Sequence, residues 1–346
     1  MNAVDLRSYL SGIKTLYLKT TNKCNMNCTF CYNYGVHNEE SFTLPHGALD
    51  YFKGLVIFHG GEPMLNTDYI DAVYDEYKDN EHIKFSITTN LLTNTHKLKE
   101  YLYKWKNCDF IKVSYDVSGR FKAGQYIEFM RNLKDIYKIS NKKDLIVNIC
   151  LTKDLISIDP KVIYDRFARY SDGLNFEFLT NDSMEDISSM MPSYNDIDEW
   201  LLDLYRVYKD NKCSLYISNF DDLRKAAKGI HIGCRARQCS KTVRTIDTDG
   251  KIYGCPNTIF KADGCLGFIK DRQVYTYDNN VKSNNDAENG TFPSVMICLT
   301  CDLYSICNQG CYQLKWQHDE DRLICPGMIK LMTAIKEDTE RGEFDE

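Results

Sequence analysis

Fifteen cysteines in 346 residues constrain this chain more than any other feature, because they are grouped by spacing and not scattered. Three stand together in the stretch CNMNCTFC, as Cys24, Cys28 and Cys31, and ten lie between Cys213 and Cys325. The segment from Met1 to Leu10 has neither the basic flank nor the apolar run of a signal peptide, and no later stretch approaches the ~18 uninterrupted apolar residues of a membrane span. The chain is therefore expected to be cytoplasmic and free of membrane. In a reducing cytosol so many thiols argue for metal ligation or catalysis, not for a disulfide framework. A net charge of -6 gives no global attraction for nucleic acid, and none is expected as a partner.

From Lys14 to about Thr180, short apolar, β-branched or aromatic runs alternate with longer amphipathic segments, the pattern of repeated βα units. Strands are expected at 15–19, 55–58, 83–88, 110–114, 145–151 and 174–179, with helical periodicity between them, as in 68–77 and 126–137. Six parallel strands with outer helices make an α/β fold whose chemistry sits on loops at the C-terminal strand ends, as in a TIM barrel. Two further helices, 194–209 and 221–228, precede a change near Gly229 to Gly, Cys and turn residues. A region so poor in helical periodicity needs metal to hold it together. Residues 328–336 read as helix again, and the acidic tail beyond them as frayed.

Cys24, Cys28 and Cys31 form a C-x3-C-x2-C loop directly after the first strand. Three thiolates hold three irons of a 4Fe-4S cube and leave the fourth open to chelation by the amino and carboxylate groups of a cofactor. Four would close the cluster for electron transfer only. A structural zinc site is the alternative, although such sites pair C-x2-C with a second pair and no fourth ligand lies near in sequence.

The segment resembles the radical SAM superfamily, and the likeness extends past the cysteines. In that family the aromatic residue before the last cysteine packs near the adenine of S-adenosylmethionine (SAM), and Phe30 stands there. The second strand runs into Gly60-Gly61-Glu62-Pro63, matching the family's GGEP motif, whose carbonyls and carboxylate receive the SAM amino group. Alone, GGEP is a routine turn; one βα unit after C-x3-C-x2-C it points to the family. The resemblance further implies that Ser114 and Asp116, in VSYD, belong to the fourth-strand segment where a serine hydrogen-bonds SAM. Arg120 corresponds to the basic residue that meets the SAM carboxylate, with an ordinary surface arginine as the alternative, and Val117 departs from the family's usual Gly. Ser86, Thr88, Thr89 and Asn90 end the third strand in a SAM-contact region, and Asn148 faces the site from the fifth strand if the register holds. A solvated or satisfied core role is the other reading of each.

In the second half, Cys239, Gly250, Cys255, the run Cys298-x2-Cys301-x5-Cys307-x3-Cys311, and Cys325 resemble the SPASM domain of radical SAM enzymes. A double zinc module is the rival on the cysteines alone. The resemblance implies two auxiliary 4Fe-4S clusters, one on Cys234, Cys239, Cys255 and Cys311, the other on Cys298, Cys301, Cys307 and Cys325. Cys108, Cys150 and Cys213 read as small buried hydrophobes, and Cys265 as a candidate hydrogen-atom donor or replacement ligand. Arg235, Arg237, Lys241 and Arg244 form a basic run that neutralises cluster charge or docks an acidic leader peptide. The expected architecture is a partial (β/α)6 TIM barrel with connecting helices over 1–229, a Cys-rich SPASM domain over 230–327, and a C-terminal helix and tail over 328–346.

These resemblances imply three 4Fe-4S clusters and SAM as cofactors, reductive SAM cleavage to a 5'-deoxyadenosyl radical, and hydrogen abstraction from a peptide or protein substrate. The modification is a cross-link, thioether or epimerisation. A reductant such as flavodoxin or ferredoxin is expected, together with a separate leader-peptide-binding protein if one is needed. Sulfatase-maturating relatives have Asp after the cysteine of the G-x4-C element, where this chain has Pro256, which counts against formylglycine formation. A small-molecule alcohol, sugar or amine dehydrogenase is one alternative. A non-catalytic metal-cluster protein is another.

Overall fold

The computed structural model describes residues 2–31, 33, 42–140, 144–180, 186–231, 239–259, 264–277, 297–307, 311, 314, 316–319 and 322–343. Cys234, Arg235 and Arg237 lie outside them. In chain order the strands are β1 (Asn2–Asp5), β2 (Thr15–Lys19), β3 (Gly54–His59), β4 (Ile83–Thr89), β5 (Cys108–Tyr115), β6 (Asp144–Leu151), β7 (Gly173–Phe178), β8 (Tyr216–Ile217), β9 (Val243–Ile246), β10 (Lys251–Tyr253), β11 (Cys265–Lys270), β12 (Gln273–Thr276), β13 (Gln317–Asp319) and β14 (Arg322–Ile324). The helices are α1 (Leu6–Leu10), α2 (Thr67–Tyr77), α3 (Thr95–Lys104), α4 (Gln125–Ser140), α5 (Lys153–Ile156), α6 (Pro160–Phe167), α7 (Tyr194–Asp210), α8 (Ser218–Ala227), α9 (Cys239–Thr242), α10 (Tyr304–Cys307) and α11 (Ile329–Glu340). The fold is α/β. Contacts divide it into two compact units, each assembled from separate stretches: 1–148 with 181–187 and 240–281, and 149–180 with 188–239 and 282–346.

The first unit carries strands in the order β1-β12-β11-β10-β9-β2-β3-β4-β5-β6. Pairing is parallel from β9 through β5 and antiparallel from β1 to β9. Residues opposite one another in register share a face of the sheet. One face presents Leu16, Leu18, Val56, Phe58, Phe85, Ile87, Ile111 and Val113, all buried. Against it, Phe58 stacks on Phe85 at 5.9 Å between ring centroids, and Trp105 stacks on Tyr74 at 4.9 Å and Tyr101 at 4.7 Å. Each such ring contributes roughly 1.5–3 kcal/mol by burial, enough to fix which face turns inward.

The opposite face mixes apolar and polar side chains. Its rows read Tyr17, Ile57, Ser86 and Phe110 across β2 to β5, then Lys19 with His59, then Thr88 with Lys112. In the other direction the row continues from Tyr17 to Thr245, Tyr253 and Cys265. The antiparallel strands β9–β12, three to six residues long, were not expected from the sequence. They are too short, and too interrupted by Gly and Cys, to show a period. Gly250, at φ +80°, turns the chain between β9 and β10, where its N–H donates to Asp247 O at 3.0 Å.

In the second unit β7 pairs in parallel with β8, and α6, α7, α8 and α11 pack pairwise, with α8 also against α10. Among the described residues no helix is long and apolar enough to cross a membrane.

Candidate active site

The loop after β2 carries Cys24, Cys28 and Cys31, which act on one another electrostatically. The Met26 N–H donates to Cys24 Sγ and the Asn33 N–H to Cys31 Sγ, both at 3.4 Å, while the Cys31 N–H donates to Cys28 O at 3.1 Å. Burial pushes the Cys24 thiol up to about 11, with Glu62, Cys28 and Cys31 adding to the rise. Burial also raises Cys31, while Arg120 and Lys19 pull it down. Three mutually repelling thiols beside two cations form a donor set made for thiolates bound to a cationic centre, and it fits an iron-sulfur cluster.

The β3 loop locks onto this one. Gly61 N–H donates to Thr21 O and Glu62 N–H to Lys23 O, both at 2.8 Å. A Cβ on Gly61 would lie 2.2 Å from Lys23 O, and one on Gly60, at φ +145°, 2.4 Å from Thr21 O. The two glycines are thus required by the backbone of the cysteine loop itself. Pro63 opens a short 3-10 turn, Pro63–Leu65, capped by Glu62. The Glu62 carboxylate is buried; its Oε1 accepts from the Met64 N–H (3.1 Å) and the Thr89 hydroxyl (2.8 Å), and its Oε2 from the Asn90 N–H (2.7 Å). Burial lifts its carboxyl to about 7, against those hydrogen bonds and Arg120. Asn90 ties the acid to the loop, its amide donating to Asn25 Oδ1 at 2.7 Å and reaching Cys24 Sγ at 3.9 Å.

Arg120 lies beside the same loop, its guanidinium 5.6 Å from the Phe30 ring centroid. It acts electrostatically on Cys31, Glu62 and Asp116. Asp116 is fully buried and raised by burial; its Oδ2 accepts from the N–H groups of Ser118 (3.1 Å) and Gly119 (2.7 Å), and its Oδ1 has no partner among the described residues. Ser86 Oγ, on the face of Tyr17 and Ile57, is likewise buried without a partner among the described residues. Thr88 and Ser114 are half-buried, and Ser114 belongs, by alternation, to the face of Lys112. Asn148 is buried on the face of β6 that also carries Ile146 and Cys150. Asp116 Oδ1 and Ser86 Oγ, buried and without a partner among the described residues, suit a polar ligand.

Cys265 sits opposite Tyr253 and contacts its hydroxyl; its thiol also reaches Gly267 O at 3.4 Å. In the second unit Cys298, Cys301, Cys307 and Cys325 come together. Burial raises Cys325 to about 11, with Cys307, Cys298 and Cys301 adding to it, and a Cβ on Gly327 would meet the sulfurs of both Cys325 and Cys307. Cys311 and Cys325 both act on the Tyr194 hydroxyl. Cys239 opens α9, and Cys255 precedes the turn Pro256–Thr258, where the Thr258 hydroxyl donates to Cys255 O at 2.8 Å.

Some residues at the site carry no motif. Gly119 gives Phe30 its place, since a Cβ there would lie 2.8 Å from the ring. Lys19, 1% exposed at its side chain, pairs with Asp247 at 3.2 Å and acts on Cys31. A buried lysine in a strand otherwise read as apolar is the signal that marks it.

The Radical SAM superfamily matches residues 18–154. An uncharacterized protein of Methanocaldococcus jannaschii is 29% identical over 76% of this chain and 91% of its own. The radical SAM cyclopropyl synthase TigE of Paramaledivibacter caminithermalis is 23% identical over 86% and 68%. Among solved structures, native anSMEcpe with bound AdoMet and Cp18Cys peptide aligns with a TM-score of 0.72 at 19% identity, over 95% of this chain and 97% of that one. Streptococcus suis SuiB bound to precursor peptide SuiA aligns at 0.59 and 18%, over 89% and 74%.

Proposed function

We propose that the chain, whose residues 18–154 match the radical SAM superfamily, is an enzyme of that kind that abstracts hydrogen from a peptide substrate and installs a cross-link, thioether or epimerised residue. The observation that carries this reading is the convergence of Cys24, Cys28 and Cys31 with Glu62 and Arg120 at the C-terminal ends of β2 to β5. When bound, the cluster and SAM supply a 5'-deoxyadenosyl radical. Phe30 and Gly119 then shape the adenine side, the carboxylate of Glu62 and the Gly60 carbonyl receive the amino group, and Arg120 meets the ligand carboxylate. The buried Ser86, Asp116 and Asn148, with the half-buried Thr88 and Ser114, hold the ligand and exclude water from it.

Two auxiliary clusters complete the proposal. Cys298, Cys301, Cys307 and Cys325 hold one, which their convergence supports; Cys234, Cys239, Cys255 and Cys311 hold the other. A peptide substrate is supported by the likeness to structures solved with peptides bound, and carbon-carbon bond formation by the similarity to a cyclopropyl synthase. Pro256 speaks against formylglycine formation. Cys265, in contact with Tyr253, is the candidate hydrogen-atom donor where the product is an epimer. The boundaries 1–229, 230–327 and 328–346, the cytoplasmic location, a reductant of the flavodoxin or ferredoxin type and a separate leader-binding protein belong to the same proposal.

Anaerobically reconstituted protein with dithionite and SAM releases 5'-deoxyadenosine on this reading, and Cys24→Ala abolishes the release. A wild-type protein loaded with about twelve irons that releases none would be a non-catalytic cluster protein.

A further inference from the structure

The second unit contains a surface that the chemistry above does not use. Residues of α7, α8 and α11 and of the turns beside them line an open pocket of about 590 Å3. Its wall carries Lys209, Lys212, Arg224, Lys225 and Lys228 against two lining acids, Asp221 and Glu343. On a chain of net charge -6 this is a concentrated reversal of sign. The cations are also held in place. Lys209 pairs with Asp338 at 2.6 Å and Glu343 at 2.9 Å, and Lys225 with Asp221 at 2.7 Å. The Arg224 guanidinium lies 5.9 Å from the Tyr208 ring centroid, and Lys212 sits in a turn fixed by two left-handed residues, itself and Cys213, both at φ +53°.

What lies behind this surface gives it a use. The helix that bears Arg224 and Lys225, α8, packs against α10, and α10 ends on Cys307. A bound phosphate needs one or two cations; five arrayed over a concave wall suit the acidic face of a folded partner. We propose that this surface docks an acidic one-electron carrier protein of the flavodoxin class beside the cluster held by Cys298, Cys301, Cys307 and Cys325. The inference rests on the auxiliary-cluster reading above. The carrier's reduced flavin loses one electron and the cluster gains it; no bond or proton moves.

The test uses Lys212→Glu/Lys228→Glu in the reconstituted holoenzyme, which leaves the ion pairs of Lys209 and Lys225 intact. Affinity for a labelled, oxidised bacterial flavodoxin is read by fluorescence anisotropy, and cluster bleaching by the reduced flavodoxin in a stopped flow. At low salt both are expected to fall about tenfold, a difference that high salt erases, while bleaching by dithionite is unchanged. Arg131→Glu/Lys138→Glu on α4 should leave both at wild-type values. Wild-type affinity and rate in the first variant, an equal loss in the second, or binding of inorganic phosphate without flavodoxin overturns the docking site. Failure of the cluster reading shows separately, as protein with no chromophore that dithionite bleaches, and anisotropy still decides the docking.

Discussion

Glu62 shows how a single buried acid ties stability to pH. Its carboxyl, lifted by burial from 4.5 to about 7, stays protonated in the folded chain over a range where the unfolded chain has lost the proton. Its contribution to stability is therefore complete below about pH 4.5 and is lost as the pH rises through 7. In cluster-free protein, melts taken from pH 4.5 to 7.5 should show a decline that Glu62→Gln flattens, worth roughly 3 kcal/mol across the window; parallel profiles would mean the acid is ionised throughout. Gly61 makes a second prediction at this scale. A methyl 2.2 Å from the Lys23 carbonyl cannot swing aside, because its neighbour is backbone. Gly61→Ala should cost about 1–3 kcal/mol and lower iron bound at the first cluster, whereas Gly12→Ala, with open space around it, should not. The motif residues were legible because each motif is a short contiguous run, Cys24 to Cys31 and Gly60 to Pro63, whose spacing is read directly along the chain. Gly119 behind Phe30 and Asp247 beside Lys19 were not, since only the folded sheet brings those partners together.

Among the elements, α11 shows where a local reading runs out. Its N-cap, Met328, makes no side-chain cap bond. The cap comes from α7, where the buried Asp198 accepts from the N–H groups of Lys330 at 2.8 Å and Leu331 at 3.0 Å. A carboxylate at that end also meets the positive pole of the helix. Asp198→Ala should destabilise the protein by about 1–2 kcal/mol in denaturant titrations, and Asp198→Asn, which keeps an acceptor without the charge, should fall between; an Ala variant as stable as wild type would show the cap to be dispensable. The periodicity of 328–336 marks this helix but not what caps it. The same contrast separates β2–β7 from β9–β12. The first set announces itself through apolar rows on one face, and the second is built from segments too short for a period, including the pairing of β9 with β2.

Across the whole molecule, burial is shared unevenly, and the cysteine pattern says what replaces it. The face of β2–β5 that carries Phe58 and Phe85 is closed by stacked rings. Among the described residues of 297–327, the buried apolar side chains are Leu303 and Ile306. The elements described there are helical residues 297–299, α10, of four residues, and the hairpin of β13 and β14, of three residues each. A single helical turn is below the length that sustains itself, and an isolated two-stranded hairpin is marginal in water. On the proposed reading, thiolate-iron bonds from Cys298, Cys301, Cys307 and Cys325 would supply the missing free energy, as metal does in other small cysteine-rich folds. Stripping iron anaerobically with a chelator should therefore open 297–327 to protease while the β2–β5 core stays resistant. Cys298→Ala should give the same cleavage without chelator and lower bound iron by about four atoms per chain. Equal resistance of this segment with and without iron would mean that packing alone holds it, and the auxiliary cluster would lose its structural role.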